Sequence, residues 1–270
     1  MKKQRKLFCE ISPLTYRISV EKGILLRHVS DLSRRVRFAR KRQEKLLPVL
    51  IYRHGSLIRR RLGNVDMLLQ ENKAVNLSIA APKVNGVLIR PGETFSFWKL
   101  VGRTTKRRGY RVGLMIARGN TSQGVGGGMC QFTNLIHWMV LHSELTIVEH
   151  HHHDGVDLFP DFNRTIPFGT GTSITYNYLD YRVRNNTSNT YQLLTWVDGE
   201  YLRGELRALR PQSFSFHVHA VNEHFAHEED GVYRCGEVMR DQIDRNTGEI
   251  TSQQVIRKNH AKVMYEIETK

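Results

Sequence analysis

The run Gly124-Val125-Gly126-Gly127-Gly128-Met129-Cys130-Gln131 constrains this chain more than any other, because four glycines in five positions open directly into an apolar periodicity. Phe132, Leu135, Ile136, Met139 and Val140 recur at helical spacing. The run therefore reads as a tight turn delivering a helix whose first turn carries Cys130. Glycines without Cβ allow positive φ and let a ligand or another backbone come close. The first N–H groups of a helix lack intrahelical partners and lie at the positive end of its dipole, which predicts a depressed thiol pKa for Cys130. The alternative is a tight turn followed by a buried structural cysteine.

The formal net charge of +15 is unevenly placed: Met1 to Arg61 hold 18 Lys/Arg against 4 Asp/Glu, and the rest of the chain 23 against 22. Residues Ile18 to Leu47 read as a cationic amphipathic helix, with Leu25, Leu26, Val29, Leu32, Val36 and Phe38 as an apolar stripe among Arg34, Arg35, Arg37, Arg40, Lys41 and Arg42. Such a helix either packs on the body or meets an anionic membrane surface. No zinc-finger spacing, RNP-type aromatic motif or recognition-helix pattern accompanies the charge, so nucleic acid is not expected as a partner. Removing residues 1–45 is expected to leave a folded body. No run approaches the roughly 20 apolar residues of a membrane span, and the start lacks the apolar core of a secretory signal. Cys9, Cys130 and Cys235 are odd in number and far apart, without CxxC spacing, which fits free thiols in a reducing compartment. These features predict a cytoplasmic protein, peripheral at the inner face of the membrane if the basic segment binds lipid.

Helical periodicity continues from Asn72 to Val84, closed by Asn85-Gly86. Val87-Leu88-Ile89 and Thr94-Phe95-Ser96-Phe97 flank a Pro91-Gly92 turn. Alternation predicts strands at Val49–Tyr52, Leu145–Val148, Ser173–Asn185, Tyr191–Val197, Tyr201–Ala208, Val232–Ile243 and Ile250–Lys258. Helices come mostly first and antiparallel strands later, an α+β pattern. Three parts are expected: a basic helical segment at 1–47, a central domain at 48–210 around the glycine turn, and a C-terminal β-hairpin extension at 211–270.

A thiolate nucleophile needs a base. Glu149-His150-His151-His152-His153-Asp154 offers candidates, and on a strand His151 and His153 would share one face with Glu149. Asp157, Asp161 or Asn163 would orient the imidazole, and Gln131 or the Cys130 N–H would hold an oxyanion. Zinc held by Cys130, His151 and His153 is the competing chemistry; HExxH and paired CxxC are both missing, so no cofactor is the leading expectation. A mildly basic, exposed strand end is the third reading of the same histidines.

The blocks Arg90-Pro91-Gly92-Glu93-Thr94-Phe95-Ser96-Phe97-Trp98, Gly124 to Gln131, Glu149 to His153, Asn163-Arg164, Pro167-Phe168-Gly169-Thr170-Gly171 and Tyr176-Asn177-Tyr178 with Asp180 resemble the VanW family of vancomycin-resistance accessory proteins. The resemblance runs from about Leu47 to Leu209. Among the histidines it carries over only to His151 and His153, and Gly171-Thr172-Ser173 stands where longer relatives often carry an Asp. It implies an accessory role around cell-wall precursors. Three readings of that role are carried forward. The first is a Cys–His hydrolase or transferase, with Cys130 as nucleophile, His153 or His151 as base, and Gly124, Gly126, Gly127, Gly128 and Arg164 as the substrate loop. The second is a non-catalytic binder of an anionic wall precursor or similar small molecule, and the third a basic membrane-surface adaptor.

Overall fold

The computed structural model describes residues 7–60, 66–117, 120–152, 155–161 and 165–266. Helix α1 spans Pro13–Ser33; Ser12 caps it by accepting the Thr15 N–H (3.2 Å), and Pro13 occupies the position where a missing N–H costs nothing. The helix stops at Ser33, not at Leu47 as predicted. Arg35 takes a positive φ of 49°, and the chain continues extended. Six cations within residues 34–42 would face one another at helical spacings of three and four, whereas an extended path lets the backbone bond elsewhere. The Ala39 N–H donates to Thr94 O (2.9 Å), the Leu88 N–H to Lys41 O (2.8 Å) and the Gln43 N–H to Gly86 O (2.9 Å), with Ala39 and Leu47 buried.

Strands β1 (Val49–Leu57), β2 (Val87–Ile89), β9 (Tyr191–Asp198) and β10 (Tyr201–Ala208) form an antiparallel sheet in the order β1-β10-β9-β2. Helices α2 (Met67–Val84) and α4 (Met129–Leu141) share one apolar core with it. Leu77, Ala80, Ala81 and Val84 come from α2, and Phe132, Leu135, Ile136 and Met139 from α4. A Cβ at Gly204 of β10 would lie 2.6 Å from Met139 Cε, so this glycine sets how closely α4 approaches the sheet. A smaller sheet, β3-β8-β6, joins Thr94–Ser96, Arg182–Arg184 and Thr146–Glu149. The hairpin of β4 (Val112–Ala117) and β5 (Asn120–Val125) leads into the glycine turn. A long antiparallel sheet of β11 (Phe214–Glu228), β12 (Gly231–Asp244) and β13 (Ile250–Val263), with β7 (Val156–Asp157) parallel at its edge, closes the chain. The architecture is α+β. Among the described residues no helix is long and apolar enough to cross a membrane.

Two further expectations change. Of the strand expected over Ser173–Asn185 only Arg182–Arg184 forms, because the chain turns at Asn177 with a positive φ of 50° and Tyr178 N–H bonds back to Thr175 O. Strand β6 ends at Glu149, so His150, His151 and His152 lie beyond the strand and the alternation argument does not apply to them.

The family block at 91–98 is frame. Gly92 turns with a φ of 76° and gives its N–H to Asn185 O. Ser96 caps the short α3 (Phe97–Val101) and also donates to Asp180, whose other contacts are the N–H groups of Trp98 (3.1 Å) and Tyr181 (2.9 Å) and Arg182 Nε (2.9 Å). Arg182 continues to Asp31 of α1 (Nη2 to Oδ2, 3.1 Å), which Lys99 Nζ also meets at 3.1 Å. Glu149 is paired with Arg27 and accepts the Asp180 N–H (2.8 Å). Helix α1 is thus docked by its polar side through buried charges, while its leucines face outward. Removal of residues 1–45 is now expected to destabilise the body severely, because Arg182, Lys99 and Glu149 lose partners and β2 and β3 lose bonded backbone. A truncated protein with the parent's urea midpoint would refute this.

Candidate functional site

The glycine turn is built by contacts that exclude side chains. Gly126 has a φ of 87° and donates its N–H to Arg111 O (2.9 Å). A Cβ on Gly127 would lie 2.5 Å from Gly113 C and 2.7 Å from Leu114 O, both backbone atoms of β4. Gly128, with a φ of 104°, is the N-cap of α4, and no side chain caps that first turn. Gly124 pairs with Gly113 in the hairpin. Asn76 of α2, fully buried, holds the turn from behind: its Nδ2 donates to Gly127 O (2.9 Å) and Arg111 O (3.0 Å), and its Oδ1 accepts the Arg111 N–H (2.7 Å). Asn72, one turn earlier, donates to Val112 O (2.8 Å). Neither asparagine figured among the sequence candidates, although their four-residue spacing on an otherwise apolar helix face was a readable signal. Gly127→Ala is expected to cost roughly 3 kcal/mol, since backbone must move to admit the methyl. A melting temperature equal to the parent's would show the turn to be slack.

Cys130 follows, partly buried against the core. Burial pushes its thiol pKa up, opposed by the N–H groups of Ile174 and of Cys130 itself. The depressed pKa expected at this position is corrected: desolvation outweighs the helix terminus. The same face of α4 carries Thr133, Asn134 and His137. The loop at 170–174 closes over it: Thr172 N–H (2.6 Å) and Oγ1 (2.8 Å) donate to Asn134 Oδ1, and Thr172 Oγ1 also reaches Thr133 and Cys130 O (3.3 Å). Gln131 donates through Nε2 to Ser56 Oγ and Leu57 O, both at 2.8 Å, so its amide ties α4 to β1.

Among the described residues no histidine hydrogen-bonds to Cys130. His151 directs Nε2 to Glu149 Oε1 (3.0 Å), and burial, with Arg27 nearby, lowers its pKa. His153 and Arg164 lie outside the described residues, as does Asn163. Asp157 and Asp161 both engage Arg234, at 3.5 and 2.6 Å. His150 reaches Gly171 O through Nε2 (3.1 Å) and packs on His137 and His152 with ring centroids 4.2 and 4.0 Å away. Burial pushes His150 down to about 4 and His137 far below the ordinary range, so both are neutral at pH 7. These rings wall a cavity of about 620 Å³ whose far side is Phe216, Arg240 and Arg257; Cys130 does not line it. Among the described residues no three His, Cys, Asp or Glu side chains are grouped as a metal site. Alkylation of Cys130 by iodoacetamide is expected to be slow near neutral pH and to rise only above the ordinary thiol range. Fast labelling of Cys130 at pH about 6 would mean that the thiolate is stabilised after all.

Fold and site define an α+β protein in which a backbone-clamped glycine turn feeds a cysteine-bearing helix. The chain belongs to the VanW family: the family model described as VanW like protein matches residues 72–207. It is 36% identical over 222 residues to the Vancomycin B-type resistance protein VanW of Enterococcus faecalis (strain ATCC 700802 / V583), covering 82% of this chain and 80% of that protein. It is 30% identical over 118 residues to the uncharacterized protein YoaR of Bacillus subtilis (strain 168), covering 43% of this chain and 36% of that one. No solved structure matches.

Proposed function

We propose that this protein is a peripheral accessory factor of the cell envelope, held at the inner, anionic face of the membrane by α1, where its glycine turn binds an anionic cell-wall precursor without forming a bond to it. The vancomycin-resistance name of the enterococcal relative supports the envelope context. The raised pKa of Cys130 and the commitment of Gln131 to β1 favour binding over nucleophilic attack.

The observation that carries the membrane reading is the outward face of α1. Leu14, Ile18, Leu25, Val29 and Leu32 fall within about 60° of one another at 3.6 residues per turn. All are exposed, Leu32 to 80%. The helix cannot roll them inward, because Asp31 and Arg27 pin the opposite side. Arg34, Arg35, Arg37, Arg40, Lys41 and Arg42, all exposed, follow immediately. An apolar stripe beside a dense cationic run complements an anionic bilayer, to which each cation contributes about 1 kcal/mol.

Vesicle sedimentation tests this. The protein is expected to bind anionic vesicles, to lose that binding in high salt, and to lose it in the double variant Leu25→Ser, Leu32→Ser, which keeps its fold because both side chains are exposed. Absence of binding to anionic vesicles at low salt would end the proposal. So would a concentration-dependent dimer abolished by the same variant, which would make the stripe an interface between two copies.

A further inference from the structure

Lys73 of α2 is 8% exposed, and its stem runs beneath the N-cap of α4: a Cβ on Gly128 would lie 2.5 Å from Lys73 Cγ. Glycine at that position makes room for the lysine. Among the described residues the Lys73 ammonium has neither a hydrogen-bond nor an ion-pair partner. One helical turn earlier stands Gln70, 1% exposed. Its Oε1 accepts the Arg60 N–H (3.4 Å), while Nε2 is buried with no partner. A buried donor left unpaired costs about 1 to 3 kcal/mol, and Gln70 Nε2 is such a donor, one helical turn from a lysine whose stem lies under a helix start that no side chain caps. The neighbouring carboxylate, Glu71, is taken by Arg59 in a bidentate pair (2.6 and 2.9 Å). The charges of Arg59 and Arg60 also reach Lys73.

We propose that Lys73, Gln70 and the first turn of α4 form a binding site for a phosphate group carried by a small molecule. The site offers donors of three kinds, an ammonium, a carboxamide and backbone N–H groups, and phosphate has enough acceptor oxygens to meet them together. The ammonium supplies a point charge, the amide direction, and the glycine turn the close backbone approach. The inference rests on reading the glycine turn as a recognition element and is independent of membrane attachment.

The test uses the full chain without vesicles. Calorimetric titration with inorganic phosphate, at pH about 8 in two buffers of different ionisation heat, is expected to show saturable binding with proton uptake, as Lys73 becomes charged beside its ligand. Lys73→Met, a neutral side chain of similar length, is expected to weaken binding by about tenfold or more, and Gln70→Leu by less, with circular dichroism unchanged. Acetate is expected to compete poorly. Undiminished phosphate binding in Lys73→Met, no binding to the parent, or equal competition by acetate would each overturn the assignment. Vesicle binding is scored separately, so failure of this site and failure of membrane attachment are distinguishable.

Discussion

Arg182→Met is expected to cost about 3 to 5 kcal/mol, the usual penalty for removing one partner from a buried ion cluster. Arg182 is the only group bonding both Asp180 and Asp31 in the described residues, and both carboxylates are buried. Without it, Asp180 keeps its bonds to Ser96 and to the Trp98 and Tyr181 N–H groups but loses the guanidinium bonded to it, and Asp31 keeps only Lys99 as a bonded cation. At 2 to 4 °C per kcal/mol for a chain of this size, the melting temperature is expected to drop by roughly 10 °C. The loss should also be pH-dependent. Burial alone would raise the Asp31 pKa, but Arg182 and Lys99 hold it below the ordinary carboxylate value. Its contribution is therefore complete above the unfolded carboxylate range and is lost as pH falls through the folded value. Parent and variant should converge in stability at strongly acidic pH. A variant that melts with the parent at neutral pH would show that Arg182 is dispensable and that α1 is held by other means.

Lys73→Met is expected to act in the opposite direction. Burial, with Arg60 and Arg59 adding to it, pushes the Lys73 pKa down to about 7. Above the unfolded lysine range both states are neutral and nothing is lost. As pH falls, the unfolded chain takes a proton that the native state refuses until pH reaches about 7, so the destabilisation grows across that window and stays constant below it. From 10.5 to about 7, at about 1.4 kcal/mol per pH unit, the full effect is roughly 5 kcal/mol. Methionine fills the same space without charge, so the variant is expected to melt about 10 °C higher at neutral pH, with the gain vanishing at strongly alkaline pH. A pH-independent difference, or none, would mean that Lys73 is already paired in solution. A stabilising substitution at a buried lysine also suggests that the lysine is kept for binding rather than for folding.

The parts of the fold that followed a single period were legible. The helix after Gly128, the helix ending at Val84 and the hairpins around Asp198-Gly199 and Asn246-Thr247-Gly248 all form, because each pairs a local periodicity with a turn that has no competing conformation. The basic segment misled because arginine and lysine suit a helix as well as an extended path, and the choice between them depended on the open edges of β2 and β3. The strand expected over Ser173–Asn185 failed for a similar reason. Its alternation reflects side chains that cap, bond to α4 or pin Asp180 from successive turns. Strand β11 went unread although Phe214, Phe216, Val218 and Ala220 alternate with Ser215, His217 and His219, because the register shifts between Val221 and His224, where Asn222 has a positive φ of 54°, and the period is lost beyond it.

At the candidate site the sequence by itself determined the covalent order: glycines, then cysteine, then an amphipathic helix. That order alone requires a turn that excludes side chains and a thiol in a first helical turn, since only glycine takes the φ values found at Gly126 and Gly128. Tertiary structure decided everything that depends on what lies opposite. It buried Cys130 so that desolvation outweighed the helix dipole, sent His151 to Glu149, and faced α1 with its leucines outward. It also set the stem of Lys73 beneath Gly128, with Gln70 one helical turn earlier. Burial and charge–charge attraction are set by neighbours distant in sequence, and no spacing along one strand of chain encodes them.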